Sequence, residues 1–168
     1  ANLSQSEMWT IGMMFGLPDI SAFTRLFDAG GTGTVHPIAT LAESENDYIQ
    51  INIKKVDRDT IDLTFDIFGD GTLASQIIFP SIYLDVLDTG RIMLSGYRDR
   101  LGVTVFFPRN DYGIASRTIG IESHFQPVEI YFSDITQTTV TPLEWYAIQV
   151  HERISLSTIE RETFIVSD

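Results

Sequence analysis

The fold is decided by residues 48–67, YIQINIKKVDRDTIDLTFDI. On either side of a short polar connection, apolar side chains alternate with polar ones. Because successive side chains of a β-strand point to opposite faces, this alternation predicts two half-buried strands. The five connecting residues, 55–59, favour an antiparallel hairpin. Its apolar face belongs to the core, and its polar face has no metal-ligand or nucleophile spacing, so the hairpin is predicted to be scaffold.

The same pattern continues from about Val35 to the end of the chain. Turn signals rich in glycine, proline and aspartate separate the apolar runs at short intervals. Ten strands are predicted, at 47–54, 60–67, 74–79, 81–87, 91–97, 101–107, 114–122, 128–133, 145–155 and 158–166. Many short strands with this spacing are typical of an antiparallel β-sandwich or barrel. We therefore expect a mainly β fold.

The first 30 residues are predicted to be helical. Ser4 and Glu7 have the spacing of a helix N-cap, and Leu17-Pro18 would end the helix that they begin. A second short helix is predicted from Asp19 to the glycines at 30–33. The apolar residues with helical spacing are Met8, Ile11, Met14 and Phe15 in the first helix, and Ile20, Phe23, Leu26 and Phe27 in the second. The expected organisation is a helical segment, 1–30, on or beyond a β domain, 31–168.

Composition restricts the classes of function. The chain has 168 residues and a net charge of −12, from 23 acidic and 11 basic residues. This charge disfavours direct nucleic-acid binding and anionic membranes. No apolar run approaches the ~20 residues of a membrane span, and we expect no signal peptide in this form. The absence of cysteine excludes disulfides, thiolate zinc sites and cysteine nucleophiles.

Two acidic stretches are candidates for a metal site. Glu43, Glu45 and Asp47 would share one face of an extended segment and could gather a hard cation. Asp66 and Asp70 flank a turn with some features of a calcium loop, although its third position is apolar. We expect no cofactor, with adventitious Ca²⁺ as the exception. Both stretches are otherwise ordinary solvated turns.

No catalytic motif is found in the sequence. The glycines at 30–33 lack the Lys-Ser or Lys-Thr of a phosphate loop, and no serine lies in a G-x-S-x-G elbow. The three histidines, His36, His124 and His151, have no metal-ligand spacing. We therefore expect no enzymatic activity, with a dispersed carboxylate site as the alternative.

Several large apolar side chains are predicted to point away from the core. In the strand at 101–107, Phe107 fits the core face and Phe106 the outer face. Trp145 lies opposite a face formed by Tyr146, Ile148 and Val150. Outward aromatic residues can form a subunit interface or a carbohydrate platform. The candidate interface residues are Met8, Trp9, Ile11, Phe106, Tyr131 and Trp145.

These features leave three functions open. The leading hypothesis is a structural protein that acts through self-association, as a capsid, decoration or tail component of a virion does, and it would place the chain in the virion. The expected partners are then further copies or other assembly subunits. The first alternative is a carbohydrate- or ligand-binding β-sandwich, and the second is an enzyme.

Overall fold

A computed structural model describes residues 8–16, 31–83, 89–108, 112–138, 143–152 and 154–167. Of these residues, 62% lie in strands. The strands are β1 (Met8–Gly16), β2 (Val35–Ala42), β3 (Tyr48–Lys55), β4 (Thr60–Gly69), β5 (Thr72–Tyr83), β6 (Gly90–Tyr97), β7 (Arg100–Phe107), β8 (Gly113–Gly120), β9 (Glu129–Tyr131) and β10 (Glu144–Glu152). One helix, α1 (Thr158–Val166), follows them. The predicted mainly β class is confirmed, as two antiparallel five-stranded sheets consistent with a β-sandwich.

The first sheet has the strand order β10-β1-β6-β7-β8 and forms one compact unit with α1. The large apolar side chains at alternate positions of β1 are buried, from Trp9 at 1% exposure to Phe15 at 0%, and Thr10 on the other face is buried as well. The matching residues of β6 and β7 continue this apolar layer, as Leu94 and Val103 illustrate. The helix lies against β7, where Arg161 donates to Thr104.

The second sheet has the order β5-β4-β3-β2-β9 and forms a unit of its own. The predicted hairpin lies at its centre. Ile51 pairs with Phe65, and Ile53 with Leu63, all fully buried. On the other face Asn52 is also fully buried, so that face is more enclosed than the sequence predicted. There Asn52 donates to Asp66 at 2.9 Å and accepts from Gln50 at 2.7 Å.

The predicted N-terminal helix is wrong over Met8–Gly16, which is strand β1. This segment has two competing apolar periods, one helical and one of period 2. The period-2 set, Trp9, Ile11, Met13 and Phe15, is the one buried. Gly12 and Gly16 also disfavour a helix, and β1 gains two strand neighbours by pairing. Residues 1–7 and 17–30, which carry the rest of the helical prediction, lie outside the described residues.

The predicted strand at 158–166 is also wrong, because these residues form α1. A capping box starts the helix: the Ser157 side chain accepts from the backbone of Glu160, and Glu160 reaches back to Ser157. Arg161 and Ile165, one turn apart, are its buried residues. The Ser-x-x-Glu signature was present in the sequence, but the isoleucines and phenylalanine around it suggested a strand.

The predicted strands 74–79 and 81–87 form one continuous strand as far as residue 83, the last of these residues that the structure describes. Strand β5 runs through Pro80 without a break. Ser81 takes a positive φ of 58°, and its N–H donates to Asp62 at 3.1 Å. The pairing of β4 and β5 shifts register at this point. An irregularity within one strand therefore explains the break that the sequence predicted between two strands at Pro80.

Candidate functional site

Strand β10 is an edge of the first sheet. Among the described residues it pairs only with β1, so one row of its backbone N–H and C=O groups has no strand partner. The strand is nine residues long and contains no proline and no lysine. Proteins usually protect exposed edges with such residues, with bulges or with short strands. This edge has a bulge at Tyr146, because Met14 pairs with Ala147 and Phe15 with Trp145, and it has no proline, no lysine and no shortening along its length.

One face of β10 is apolar and exposed. Tyr146 is 48% exposed, Ile148 38% and Val150 55%. We call these three side chains the β10 stripe. Ile148 lies opposite Met13 and Val150 opposite Ile11, and both β1 residues are buried. Directly opposed residues share a face of the sheet. Ile148 and Val150 therefore continue the apolar core face of the sheet onto an edge where it meets solvent, and Tyr146 is exposed beside them at a shift in register.

The other face of β10 borders a small groove of about 120 Å³. Met14 and Ala147 line it from the sheet, and Phe164 lines it from α1. Arg91 closes one side, where its Nη1 donates to the Ile165 carbonyl at 2.8 Å. Phe164 is 56% exposed, whereas β10 itself contributes the polar side chain of Gln149 to this groove.

Two of the predicted interface residues lie in the core instead. Trp9 and Ile11 are 1% and 3% exposed, and the Trp9 indole N–H donates to the Phe125 carbonyl at 2.7 Å. Their side chains present no surface to a partner, because β1 is a central strand and not a surface helix. Met8, at the start of the same strand, is 39% exposed.

The three predicted outward aromatic residues are half-buried. Phe106 lies under the Arg91 guanidinium, 5.9 Å from the ring centre, while Phe107 is fully buried as predicted. The predicted outer face of Trp145 is wrong: the residue lies directly opposite buried Phe15, with ring centres 5.6 Å apart, because the register of β10 shifts between Trp145 and Ala147. Tyr131 donates to the Glu129 carboxylate, which raises the pKa of its hydroxyl. Their role in an interface stays a prediction, and Trp145 directly precedes the β10 stripe.

The acidic candidates do not share one site. Residues 43–47 form a tight turn, not an extended face, in which Ser44 donates to Asp47 at 3.0 Å. Asp47 also accepts from the backbone of Asp70 at 3.1 Å, so two of the candidates are neighbours. The Asp66 carboxylate accepts instead from Asn52 and from Gln76. No group of three acidic or histidine residues that could hold a metal ion occurs in the described part of the chain.

Sequence reasoning missed the β10 stripe as a surface. It placed Trp145 on the outer face and so left Tyr146, Ile148 and Val150 to the core. The alternation of the strand was correctly recognised, but an apolar stripe has the same pattern on a central strand as on an edge. Strand order decides between the two, and a single sequence does not supply it.

The described residues contain no helix of the length and hydropathy needed to span a membrane. The sequence matches no protein-family model and no curated protein.

Solved structures do resemble this chain. The enzymatically active domain of tailspike protein 2 from bacteriophage CBA120 has a TM-score of 0.62 at 9% identity, over 96% of this chain. The alginate lyase from Klebsiella pneumoniae has a TM-score of 0.52 at 10% identity, and the match covers 86% of this chain and 60% of the lyase. Galectin-Ib from Xenopus laevis has a TM-score of 0.48 at 12% identity, over 85% of this chain and 90% of the galectin.

At these identities the first two likenesses show the fold alone. The chain spans 24% of the tailspike structure that it matches. The same fold therefore occurs within a virion protein and within an enzyme, and the choice between functions depends on the surface of this chain.

Proposed function

We propose that this chain is a structural domain that self-associates through strand β10, as part of a larger assembly such as a virion component. The observation that carries the proposal is the β10 stripe, apolar and exposed on a strand whose outer edge lacks a partner among the described residues. Adding a strand to such an edge satisfies its backbone groups and covers its side chains in one step. The likeness in fold to part of a phage tailspike protein is compatible with this role.

The occupant is a second copy of the chain. If two β10 strands pair antiparallel about Ile148, each Tyr146 lies across from Val150 of the other copy. The two stripes then form one continuous apolar surface on the same face. Exposed tyrosine and aliphatic side chains surrounded by polar residues are the usual composition of an interface centre. The net charge of −12 on each copy opposes association through the charged parts of the surface.

Light scattering coupled to size-exclusion chromatography tests this proposal. The chain should show a molar mass above that of the monomer and should dissociate on dilution. Substituting Ile148→Thr and Val150→Thr together should give a monomer, because threonine suits a strand but removes apolar area. Leu73→Thr is the matched control, since Leu73 is 49% exposed on β5, an edge of the other sheet. A wild-type chain that stays monomeric at all concentrations would refute the proposal.

A further inference from the structure

A cavity of about 440 Å³ lies in the first unit, between the β6–β7 turn and the start of α1. Three arginines line it: Arg98, Arg100 and Arg161. Asp99 is the only carboxylate among its lining residues, so the lining side chains carry a net charge of +2. The whole chain has only 11 basic residues against 23 acidic ones. Three of those 11 in one cavity are a marked concentration of positive charge.

The base of the cavity is a fixed guanidinium. Arg161 is 3% exposed, and its Nε and Nη1 donate to Thr104 Oγ1 and to the Leu156 carbonyl, at 3.0 and 2.8 Å. It lies flat over Gly102, where any Cβ would overlap it. Burial lowers the pKa of Arg161, and the Glu162 carboxylate partly offsets this. Guanidinium groups nevertheless stay charged in proteins, and Arg161 donates to the neutral oxygens of Thr104, Leu156 and Thr158.

The remainder of the lining suits a hydroxylated ligand. Thr118 and Ser155 bring hydroxyl groups to the wall, and the Tyr97 ring is 38% exposed beside them. The Arg98 guanidinium lies over that ring, 5.1 Å from its centre. The volume of the cavity falls in the usual range for small-molecule sites.

We propose that this cavity binds an acidic saccharide, with the carboxylate of a hexuronic acid held by the arginines. Planar guanidinium groups match a carboxylate in bidentate geometry, which fixes the orientation of the sugar. The ring hydroxyls of the sugar then meet the hydroxyl groups of Thr118 and Ser155. This binding uses no residue of the β10 stripe and is therefore independent of self-association.

The test is a titration of the ¹⁵N-labelled full chain with D-glucuronate, followed by amide chemical shifts. We expect saturable shifts at residues 97–102, 118 and 155–158, with a Kd on the order of 1 mM. D-glucose should give none of them, since it lacks the carboxylate. Arg100→Gln should weaken glucuronate binding about tenfold, and Arg100 is exposed, so this variant should fold.

Arg117→Gln is the matched control, because Arg117 is an exposed arginine of β8 that does not line the cavity. It removes the same charge and should leave the glucuronate affinity unchanged. The proposal is overturned if glucuronate gives no saturable shifts, or if the two arginine variants weaken binding equally. It is also overturned if inorganic sulfate binds the cavity as tightly as glucuronate, since the site would then recognise an anion and not a sugar.

Discussion

Trp9 on β1 lies directly opposite Gly96 on β6, and its indole occupies the space that a Cβ at position 96 would need. The same relationship recurs at the other end of these strands, where Phe15 covers Gly90. Large aromatic rings of β1 are thus accommodated by glycines of its neighbour. This pairing explains how β1 buries an entire tryptophan against its neighbouring strand.

Gly96→Ala should therefore lower the free energy of unfolding by roughly 1–3 kcal/mol, because the added methyl group displaces Trp9 from its site. Thermal or urea unfolding followed by tryptophan fluorescence measures the change. Gly31→Ala is the control, since a Cβ there meets nothing within 4 Å. Equal stability of the two variants would show that the indole is free to move aside.

Asn52→Ala should destabilise the second sheet by about 1–3 kcal/mol. The substitution leaves Gln50 without its acceptor and Asp66 without one of its donors, beside a position that is fully buried. Gln76→Ala removes the other donor to Asp66 from an exposed position and should have a smaller effect. Urea unfolding of both variants checks the order, and a larger loss for Gln76→Ala would contradict it.

Stability should fall as pH drops below about 7 because of His36. This side chain is 8% exposed, and burial, with the nearby Lys55 charge, lowers its pKa below the ordinary 6.5. Below pH 6.5 the unfolded chain takes up a proton that the folded chain resists, so the free energy of unfolding decreases. The loss ends once pH passes below the folded pKa, where both states are protonated.

Urea unfolding at about pH 7.5 and about pH 5 measures this effect, and His36→Gln should reduce the difference between the two values. The other titrating groups remain in the variant and account for the pH dependence of the unfolding free energy that is left. An unchanged pH dependence in His36→Gln would show that His36 is protonated equally easily in both states.

Self-association should strengthen with salt. Two copies of a chain with a charge of −12 repel each other, whereas the β10 stripe is uncharged and unaffected by screening. Raising NaCl from about 0.05 M to about 0.5 M should lower the dissociation constant measured by sedimentation. An association that weakens with salt would indicate ionic contacts between copies and would exclude the stripe as its main source.

The fold and the site differ in how far the sequence could predict them. Alternation around Ile51 and Phe65 depends on local geometry, so both strands and their pairing were predicted correctly. Over Met8–Gly16 two periods competed, and only pairing with β6 and β10 decided between them. The β10 stripe and the arginine cavity depend on which strands are edges and which turns meet α1. Those relationships join residues far apart in the sequence, and local alternation of apolar and polar residues does not predict them.

The central claim, that two β10 strands meet, can be measured directly because the chain contains no cysteine. Gln149→Cys places a single spin label on β10, at an exposed position away from the stripe. With two strands paired antiparallel about Ile148, position 149 lies two residues, about 7 Å along the strand, from its counterpart, so the labels should lie below about 20 Å apart and broaden the continuous-wave electron resonance spectrum. A dimer with a longer distance, or no coupling between labels in the associated state, would contradict the account.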